Sequence, residues 1–341
     1  MLISVLLPAR NASATLHEAL TGVLAQRGSP PLEVVCVDDA SIDATPALLA
    51  EAARRDPRVR ILRGEGRGIV AALNLGFAHC KGDLIARMDA DDLVHPDRLR
   101  LQAELLQSDH ELGAVGSLVS CDSPGLARLE AWLNATVTKE QCRNARFIEA
   151  PLVHPSTTFR REALGGAGFA RDGRSPQGGA WEGGWQDHGW AEDWDLLLRI
   201  VERGWQLAKV PQNLLVWRDF QHRLTRTAPA YSFEQMTRLR AHYLARGPLE
   251  HRPFDIWGAG PSGKRLAREL ESHGLRPRVF FDVDKSKHVA RGRPVLREGD
   301  LPPPGDAWML CAVGAPGARE EIRALLEPRG YHEGVDFLFA A

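Results

Sequence analysis

Short apolar runs alternate with amphipathic segments through the first third of the chain, and this alternation limits the fold more than any other feature. Five runs indicate buried, mostly parallel strands: residues 3–7, 32–37, 59–62, 84–88 and 114–119. Residues 15–25, 46–54, 69–80 and 96–107 lie between them and carry apolar side chains at the three- and four-residue spacing of helices. The pattern predicts an α/β fold with a doubly wound sheet.

The composition favours a protein that acts on small molecules. The chain has 341 residues, 44% hydrophobic and 26% charged, which suits two globular domains. A formal net charge of −1 gives no basic surface, so we expect no nucleic-acid partner. The five widely spaced cysteines indicate reduced thiols and a cytoplasmic protein. No stretch reaches the ~18 apolar residues of a transmembrane span, which leaves open peripheral contact at the inner face of the membrane.

Polar side chains follow three of the predicted strands, at the edge where such sheets bind ligands. Acidic residues separated by one position in a turn can converge on one hard cation that holds a diphosphate. Each of these residues could instead cap a helix, but capping explains the three strand ends together less well. The residues are Asn11, Asp39, Asp89, Asp91 and Asp92.

Six segments in this order resemble inverting glycosyltransferase family 2, whose members have the GT-A fold. They are residues 4–11, 37–45, 66–76, 82–96, 154–164 and 191–204. The chain departs from the family at Arg10, where members more often carry an aromatic side chain. The resemblance implies a GT-A fold with a mixed sheet over the first two thirds of the chain.

The resemblance also implies a pocket for a nucleotide-sugar donor, most often a UDP-sugar. Pro8 and Asn11 would line the nucleoside pocket. Asp39 would accept a hydrogen bond from the base, and Arg67 would approach the ribose or a phosphate.

The same resemblance assigns residues to the metal and the diphosphate. Asp91 would be the direct ligand of Mn²⁺ or Mg²⁺, and Asp89 would contact the ribose or the metal. Arg223 and Arg226 would neutralise the diphosphate, although a solvated basic edge explains them equally well. Family members commonly carry a histidine near this point that completes metal or phosphate binding. His222 lies close to this position, and whether the metal has a third ligand there stays open.

Glu192 and Asp193 match the Glu-Asp motif of the family at the start of a predicted helix. Asp193 would be the general base that takes the proton from the acceptor hydroxyl, and Glu192 would contact or orient the acceptor. Acids in a first turn also complement the helix dipole, which is the structural alternative. The segment 165–190, rich in glycine and tryptophan, predicts either a loop that stacks on sugar rings or a packed surface loop.

The carboxy-terminal part is predicted to be a separate domain. We assign residues 1–230 to the GT-A domain, 231–253 to a helix and linker, and 254–341 to a small Rossmann-like α/β domain. Gly258, Gly260 and Gly263 lie between a predicted strand and helix, and Asp282 follows the next strand, as in a dinucleotide site. This part resembles the amino-terminal domain of bacterial sugar acyltransferases, and both an accessory and a ligand-binding role stay open.

The leading hypothesis is an inverting, metal-dependent glycosyltransferase with a UDP-linked donor. Its acceptor would be a hydroxyl of a glycan or lipid-linked saccharide in surface polysaccharide synthesis. One alternative is an NAD-dependent sugar-nucleotide oxidoreductase, although none of the three tyrosines is followed by lysine at the fourth position. The other is a non-catalytic sugar-nucleotide-binding protein, which would not need a base such as Asp193.

Overall fold

The chain folds into two compact units, each built around its own sheet. They are seen in a computed structural model that describes residues 1–165, 183–220 and 223–341. The first unit comprises Met1–Cys142, Pro151–His188 and Glu192–Arg223, and the second comprises Arg143–Ala150, Gly189–Ala191 and Leu224–Ala341. The α/β class and a second sheet in the carboxy-terminal region are therefore confirmed.

Strands and helices alternate up to residue 121, as the apolar periodicity predicts. The strands to residue 217 are β1 (Ile3–Ala9), β2 (Leu32–Asp38), β3 (Val59–Arg63), β4 (Leu84–Arg87), β5 (Leu93–Val94), β6 (Leu112–Cys121), β7 (Thr158–Arg160) and β8 (Gln206–Trp217). The helices are α1 (Leu16–Leu24), α2 (Thr45–Arg55), α3 (Ile69–His79), α4 (Arg98–Ser108), α5 (Ala127–Ala135), α6 (Lys139–Ala145), α7 (Arg161–Gly165) and α8 (Glu192–Glu202).

The sheet of the first unit is mixed, with the order β3-β2-β1-β4-β7-β6-β8-β5. Strands β3, β2, β1 and β4 are parallel, so their carboxyl ends meet at one edge. Strand β7 is antiparallel to both β4 and β6, and β8 runs parallel to β6. This mixed sheet is the one that the GT-A resemblance implies.

Both faces of the sheet are covered because side chains on a strand alternate between its faces. Ile3, Val5 and Leu7 of β1 point into the main core, which also contains side chains from α1 and α4. Leu6 points the other way, toward α3. Helix α3 approaches closely at Gly76, where a Cβ atom would lie 2.2 Å from Leu6 Cδ1. The backbone distance between helix and sheet at this point therefore requires glycine.

The second unit contains a smaller, mostly parallel sheet with the order β11-β12-β10-β9-β13-β14. Strand β11 alone is antiparallel to its neighbour among the described strands. The elements are α9 (Leu224–Thr227), α10 (Phe233–Arg246), β9 (Phe254–Trp257), α11 (Pro261–Ser272), β10 (Phe280–Phe281), β11 (Val289–Ala290), β12 (Arg293–Leu296), β13 (Trp308–Cys311), α12 (Ala318–Leu326) and β14 (Phe337–Phe339).

The cysteines are free, as their spacing predicts. Among the helices of the described ranges, none combines the length and the apolar character that crossing a membrane requires.

Candidate active site

The loops after β1 and β2 are joined by hydrogen bonds at the carboxyl edge of the sheet. Asn11 has a left-handed backbone with φ of 50°, and its amide donates to Ser41 Oγ at 2.9 Å. The amide of Ile42 donates in turn to Asn11 Oδ1 at 2.9 Å, and the amide of Ala12 donates to Thr45 Oγ1 at 2.8 Å. Asn11 is therefore a structural link between the loops, beside the buried Pro8 at the end of β1.

Asp39 organises a third loop at this edge. Its Oδ1 and Oδ2 accept hydrogen bonds from the amides of Gly66 and Gly68, each at 2.9 Å, and the side chain is buried. Arg10 Nη1 lies 3.8 Å from Asp39 Oδ2, so the residue that departs from the family pattern supplies charge to this loop. Arg67, between the two glycines, is exposed and pairs with Glu65 at 3.0 Å. The structure thus joins Asp39 by hydrogen bonds to the loop that carries Arg67, while the nucleotide contacts of both residues stay predictions.

Three carboxylates converge just beyond β4. Ligand oxygens of Asp89, Asp91 and Asp92 all lie within 4.8 Å of one another. Asp92 is fully buried; its Oδ1 accepts from the amide of Arg218 at 3.0 Å, whereas Oδ2 has no hydrogen-bond partner within the described residues. A buried carboxylate oxygen without a donor, next to two further carboxylates, fits a hard divalent cation. The sequence placed Asp92 in this acidic cluster, but the resemblance assigned the metal to Asp91 and Asp89 alone.

The three acids repel one another electrostatically. Burial and the charge of Asp89 raise the pKa of Asp91 to about 6, against the opposing effect of Arg223 and Arg87. Burial and the charges of Asp89 and Asp91 hold the pKa of Asp92 well above its usual range. Carboxylates forced together in this way are stabilised by a bound cation.

A buried arginine lies beside the acidic cluster. Arg87, the last residue of β4, is 4% exposed and forms an ion pair with Asp89. Burial opposes its charge, but Asp89, Asp92 and Glu192 together raise the pKa of Arg87 above its ordinary value. The positive charge of Arg87 therefore interacts with both the acidic cluster and the first turn of α8. The sequence placed Arg87 inside an apolar run and gave it no role.

The first turn of α8 carries the predicted base. Glu192 is buried, and Asp193 is half-buried, with its Oδ1 accepting from the amide of Trp194 at 2.8 Å. Asp195 is fully buried and binds Arg199 Nε at 2.7 Å. Asp195 is therefore a structural anchor of α8, while Glu192 and Asp193 occupy the positions that the Glu-Asp motif predicts.

Trp185 fixes the chain that leads into α8. Its indole Nε1 donates to His154 Nε2 at 2.9 Å, and both side chains are buried. Burial and the charge of Arg87 hold the pKa of His154 well below its usual range, so the imidazole is neutral and accepts this bond. The expectation that tryptophans of segment 165–190 stack on sugar rings is wrong for Trp185, which is a core residue. Residues 166–182 lie outside the described part of the chain.

The predicted phosphate-binding arginines fall in different units. Arg223 belongs to the first unit, where its guanidinium lies 4.1 Å from the ring centroid of Trp217. Its charge acts on Asp91 and Asp92, which places it close to the acidic cluster. Arg226 belongs to the second unit, and His222 lies outside the described residues.

The glycine turn of the second unit is tightly packed. Gly258 has φ of 116°, and a Cβ atom on Gly263 would lie 1.8 Å from the carbonyl oxygen of Gly258. Asp282 Oδ2 accepts from the amide of Ala259 at 2.8 Å and pairs with Lys287 Nζ at 2.9 Å. The acid that the dinucleotide pattern assigns to a ribose is therefore already bound by protein groups. The resemblance to acyltransferase domains stays a prediction.

Comparison with solved structures identifies the fold. The structure of S. aureus TarS 1-349 in complex with UDP-GlcNAc matches with a TM-score of 0.56, over 82% of this chain and 74% of that chain, at 18% identity. The mannosyltransferase PcManGT from Pyrobaculum calidifontis in complex with GDP-Man and Mn²⁺ matches with a TM-score of 0.50, over 71% and 61%, at 22% identity. Likeness at this identity shows the GT-A fold of the chain.

Sequence comparison finds similarity to a known family in the amino-terminal part. The chain is 39% identical over 129 residues to the succinoglycan biosynthesis protein ExoO of Rhizobium meliloti (strain 1021), which covers 38% of this chain and 34% of that protein. The aligned region thus spans about a third of the relative's length. Residues 4–166 match the model of the family described as Glycosyl transferase family 2. The amino-terminal part of this chain is therefore similar to members of glycosyl transferase family 2.

Proposed function

We propose that the protein is an inverting, metal-dependent glycosyltransferase that moves a sugar from a UDP-linked donor to a hydroxyl of a saccharide acceptor. The observation that carries this proposal is the cluster of Asp89, Asp91 and Asp92 at the end of β4. The buried guanidinium of Arg87 interacts electrostatically with this cluster and also with Glu192. Metal ligands and a general base for in-line displacement must come from separate segments, and this arrangement meets that requirement.

The acidic cluster would hold Mn²⁺ or Mg²⁺ through Asp91, Asp92 and Asp89. When bound, the cation neutralises the negative charge of the departing diphosphate. PcManGT was solved with Mn²⁺, which supports this choice of metal. Arg223 would add a second positive charge on the phosphates.

The nucleoside would occupy the edge formed by the joined loops after β1 and β2. Pro8 and Asn11 would line the pocket, and Asp39 would hold the loop of Arg67 against the ribose and phosphates. Both Asp39 oxygens accept amide hydrogen bonds, and each oxygen has a second lone pair available for the base.

The transfer step would use Asp193 as the base. Its carboxylate takes the proton of the acceptor hydroxyl as that oxygen attacks the anomeric carbon. The bond from the anomeric carbon to the diphosphate oxygen breaks, and the nucleoside diphosphate leaves with the bonding electron pair. Attack from the opposite side inverts the anomeric configuration, and Glu192 orients the acceptor. The name of the Rhizobium relative supports a glycan of surface polysaccharide synthesis as acceptor.

A thermal-shift screen against UDP-, GDP-, dTDP- and CMP-sugars, with Mn²⁺ or with chelator, tests donor binding. We expect a Mn²⁺-dependent rise of the melting temperature with UDP-sugars that is absent in Asp91→Ala, because ligands that bind the folded state stabilise it. A shift with NAD alone, independent of metal, would contradict the proposal.

Replacing Asp193 by Asn tests the chemical step. We expect the variant to retain donor binding and to lose transfer by at least about 10²-fold, the usual contribution of a positioned base. Glu202→Gln, at the other end of α8, is the matched control and should keep wild-type turnover. Unchanged transfer in Asp193→Asn would exclude this residue as the base, and retention of configuration in the product would exclude the inverting mechanism.

A further inference from the structure

Arg87 holds a position that no catalytic role has explained. Its guanidinium is buried at the end of β4, forms an ion pair with Asp89, and carries an Nε atom without a hydrogen-bond partner among the described residues. We propose that Arg87 is a positioning residue that competes with the divalent cation for Asp89. Its ion pair orients the Asp89 carboxylate and lowers the affinity of the acidic cluster for the metal ion. This inference rests on the proposed function, because it assumes that the cluster binds a cation.

The backbone of Arg87 is held in place from both sides. Its amide donates to the carbonyl of Thr157 at 2.9 Å, and its own carbonyl accepts from Arg98 Nη2 at 2.8 Å. Arg98 is itself 1% exposed, and its Nε donates to Gln102 Oε1 at 3.1 Å. These bonds fix the backbone of the last residue of β4, and because the side chain is buried, its packing limits how far the guanidinium can follow Asp89. The ion pair therefore restrains Asp89.

The positive charge of the nearby arginines acts on the three carboxylates of the acidic cluster to different degrees. Arg223 and Arg87 both place opposing charge near Asp91, and Arg223 does so near Asp92, but the close ion pair of Arg87 is with Asp89. A cation that bound all three carboxylates would share Asp89 with a buried guanidinium that already pairs with Asp89 Oδ1, and the positive charge of that guanidinium would weaken the bond from Asp89 to the cation. The cation would thus be held mainly by Asp91 and Asp92 and stay exchangeable after each transfer.

The proposal predicts effects of opposite sign on metal binding and on turnover. In Arg87→Met, removal of a positive charge a few ångströms from the cluster should tighten Mn²⁺ binding by about tenfold or more. Release of Asp89 should lower turnover by about tenfold to 10²-fold, because a misplaced group near the reacting centre slows the reaction. A purely structural arginine would weaken metal binding and turnover together.

Mn²⁺ affinity is measured by electron paramagnetic resonance of free Mn²⁺, without donor or acceptor, in wild type, Arg87→Met and Arg87→Gln. The Gln variant keeps a polar side chain in the buried site in case the Met variant does not fold. Arg161→Met is the matched control, since Arg161 donates to the carbonyls of Gly82 and Cys80, each at 2.7 Å, at the opposite end of β4. The control should lose stability and keep wild-type Mn²⁺ affinity.

Asp89→Asn completes the test. If Arg87 acts through Asp89, Arg87→Gln should change Mn²⁺ affinity and turnover by less than threefold in the Asp89→Asn background. Equal or weaker Mn²⁺ binding in the single Arg87 variants, or a full effect in that background, would overturn the inference. Failure of wild type to bind Mn²⁺ would overturn it as well. If wild type binds Mn²⁺ and the Arg87 variants change the affinity as expected, but wild type transfers no sugar, the proposed function is contradicted. The inference about Arg87 and metal affinity is not.

Discussion

Asn74 and Trp185 hold each other by two hydrogen bonds across 111 residues of sequence. Asn74 Nδ2 donates to the carbonyl of Trp185 at 2.7 Å, and the amide of Trp185 donates to Asn74 Oδ1 at 3.0 Å. A side-chain amide on α3 thus satisfies both backbone groups of a fully buried residue, seven positions before the first acid of α8. The pair connects α3 with the chain that leads into the predicted base.

Asn74→Ala should therefore lower both stability and turnover. Loss of the amide leaves two buried backbone groups of Trp185 unsatisfied, which costs about 1–3 kcal/mol for each group that stays dry. Urea unfolding measures the loss in free energy of unfolding. Asn134→Ala on α5 is a suitable comparison, because Asn134 makes the same paired contact with the backbone of Val119. Equal turnover losses in the two variants would show that Asn74 has no special connection to α8.

Asp39→Asn should weaken donor binding more than it slows transfer. The side chain of Asn has one acceptor oxygen, so it can accept from only one of the amides of Gly66 and Gly68 in the present geometry. Its NH₂ group would then point at the other amide N–H, which is also a donor. Loss of a charged hydrogen bond of this kind costs about 1.5–3 kcal/mol, so KM for the donor should rise about tenfold or more at nearly constant kcat. Asp56→Asn removes a carboxylate that also accepts from a backbone amide, that of Arg58, and should leave KM unchanged. A fall in kcat alone would contradict this role of Asp39.

Lys209 should give the protein a distinctive alkaline stability profile. It is 3% exposed on β8 and donates to the carbonyl of Leu133, and burial lowers the pKa of Lys209 to about 8. Between pH 8 and 10 the unfolded chain, whose lysines titrate near 10.4, binds more protons than the folded chain. The free energy of unfolding should therefore rise with pH in this window, by about 2 kcal/mol from this group.

Lys209→Met removes that contribution. Urea unfolding at pH 8, 9 and 10 should show a steeper increase with pH in wild type than in the variant, and the difference between the two profiles isolates Lys209 from other titrating groups. Parallel profiles would show that the ammonium group is solvated in the folded protein.

The thiols should be almost inert in the folded protein. Cys36, Cys80, Cys142 and Cys311 are buried, and burial raises the pKa of Cys36 to about 12 and that of Cys142 to about 11. At pH 8 a disulfide reagent should therefore titrate at most the half-buried Cys121 on the minute scale, and all five thiols in urea. Fast reaction of two or more thiols without denaturant would show that the core opens readily.

The sequence predicted most of the first sheet because its strands are continuous apolar runs and its helices have clear apolar stripes. It did not predict β8 along its length, since Pro211, Gln212 and Asn213 interrupt the apolar pattern where the pairing with β6 is also irregular. Strands of two to four residues, such as β5 and β12, give too short a pattern to detect.

The site was predicted where residues that are close in sequence act together, as in the acidic cluster and the Glu-Asp pair. Contacts between distant segments could not be read from periodicity. For the segment of Trp185 both a sugar-stacking loop and a packed loop stayed open, because its partners, Asn74 and His154, lie far away in the chain. Arg87 was hidden for a different reason: a charged residue inside an apolar run signals a buried ion pair, but the sequence does not name the partner.

The strand order also sets when each half of the site can form during synthesis. The edge that holds Asn11 and Asp39 is complete once β1, β2, β3 and the loop of Gly68 have emerged, because all its hydrogen bonds join residues before position 70. Asp92, by contrast, accepts its hydrogen bond from the amide of Arg218, which is synthesised 126 residues later. Since the amino-terminal residues leave the ribosome first, the loops of Asn11 and Asp39 can pair on a nascent chain before the hydrogen-bond partner of Asp92 has been synthesised.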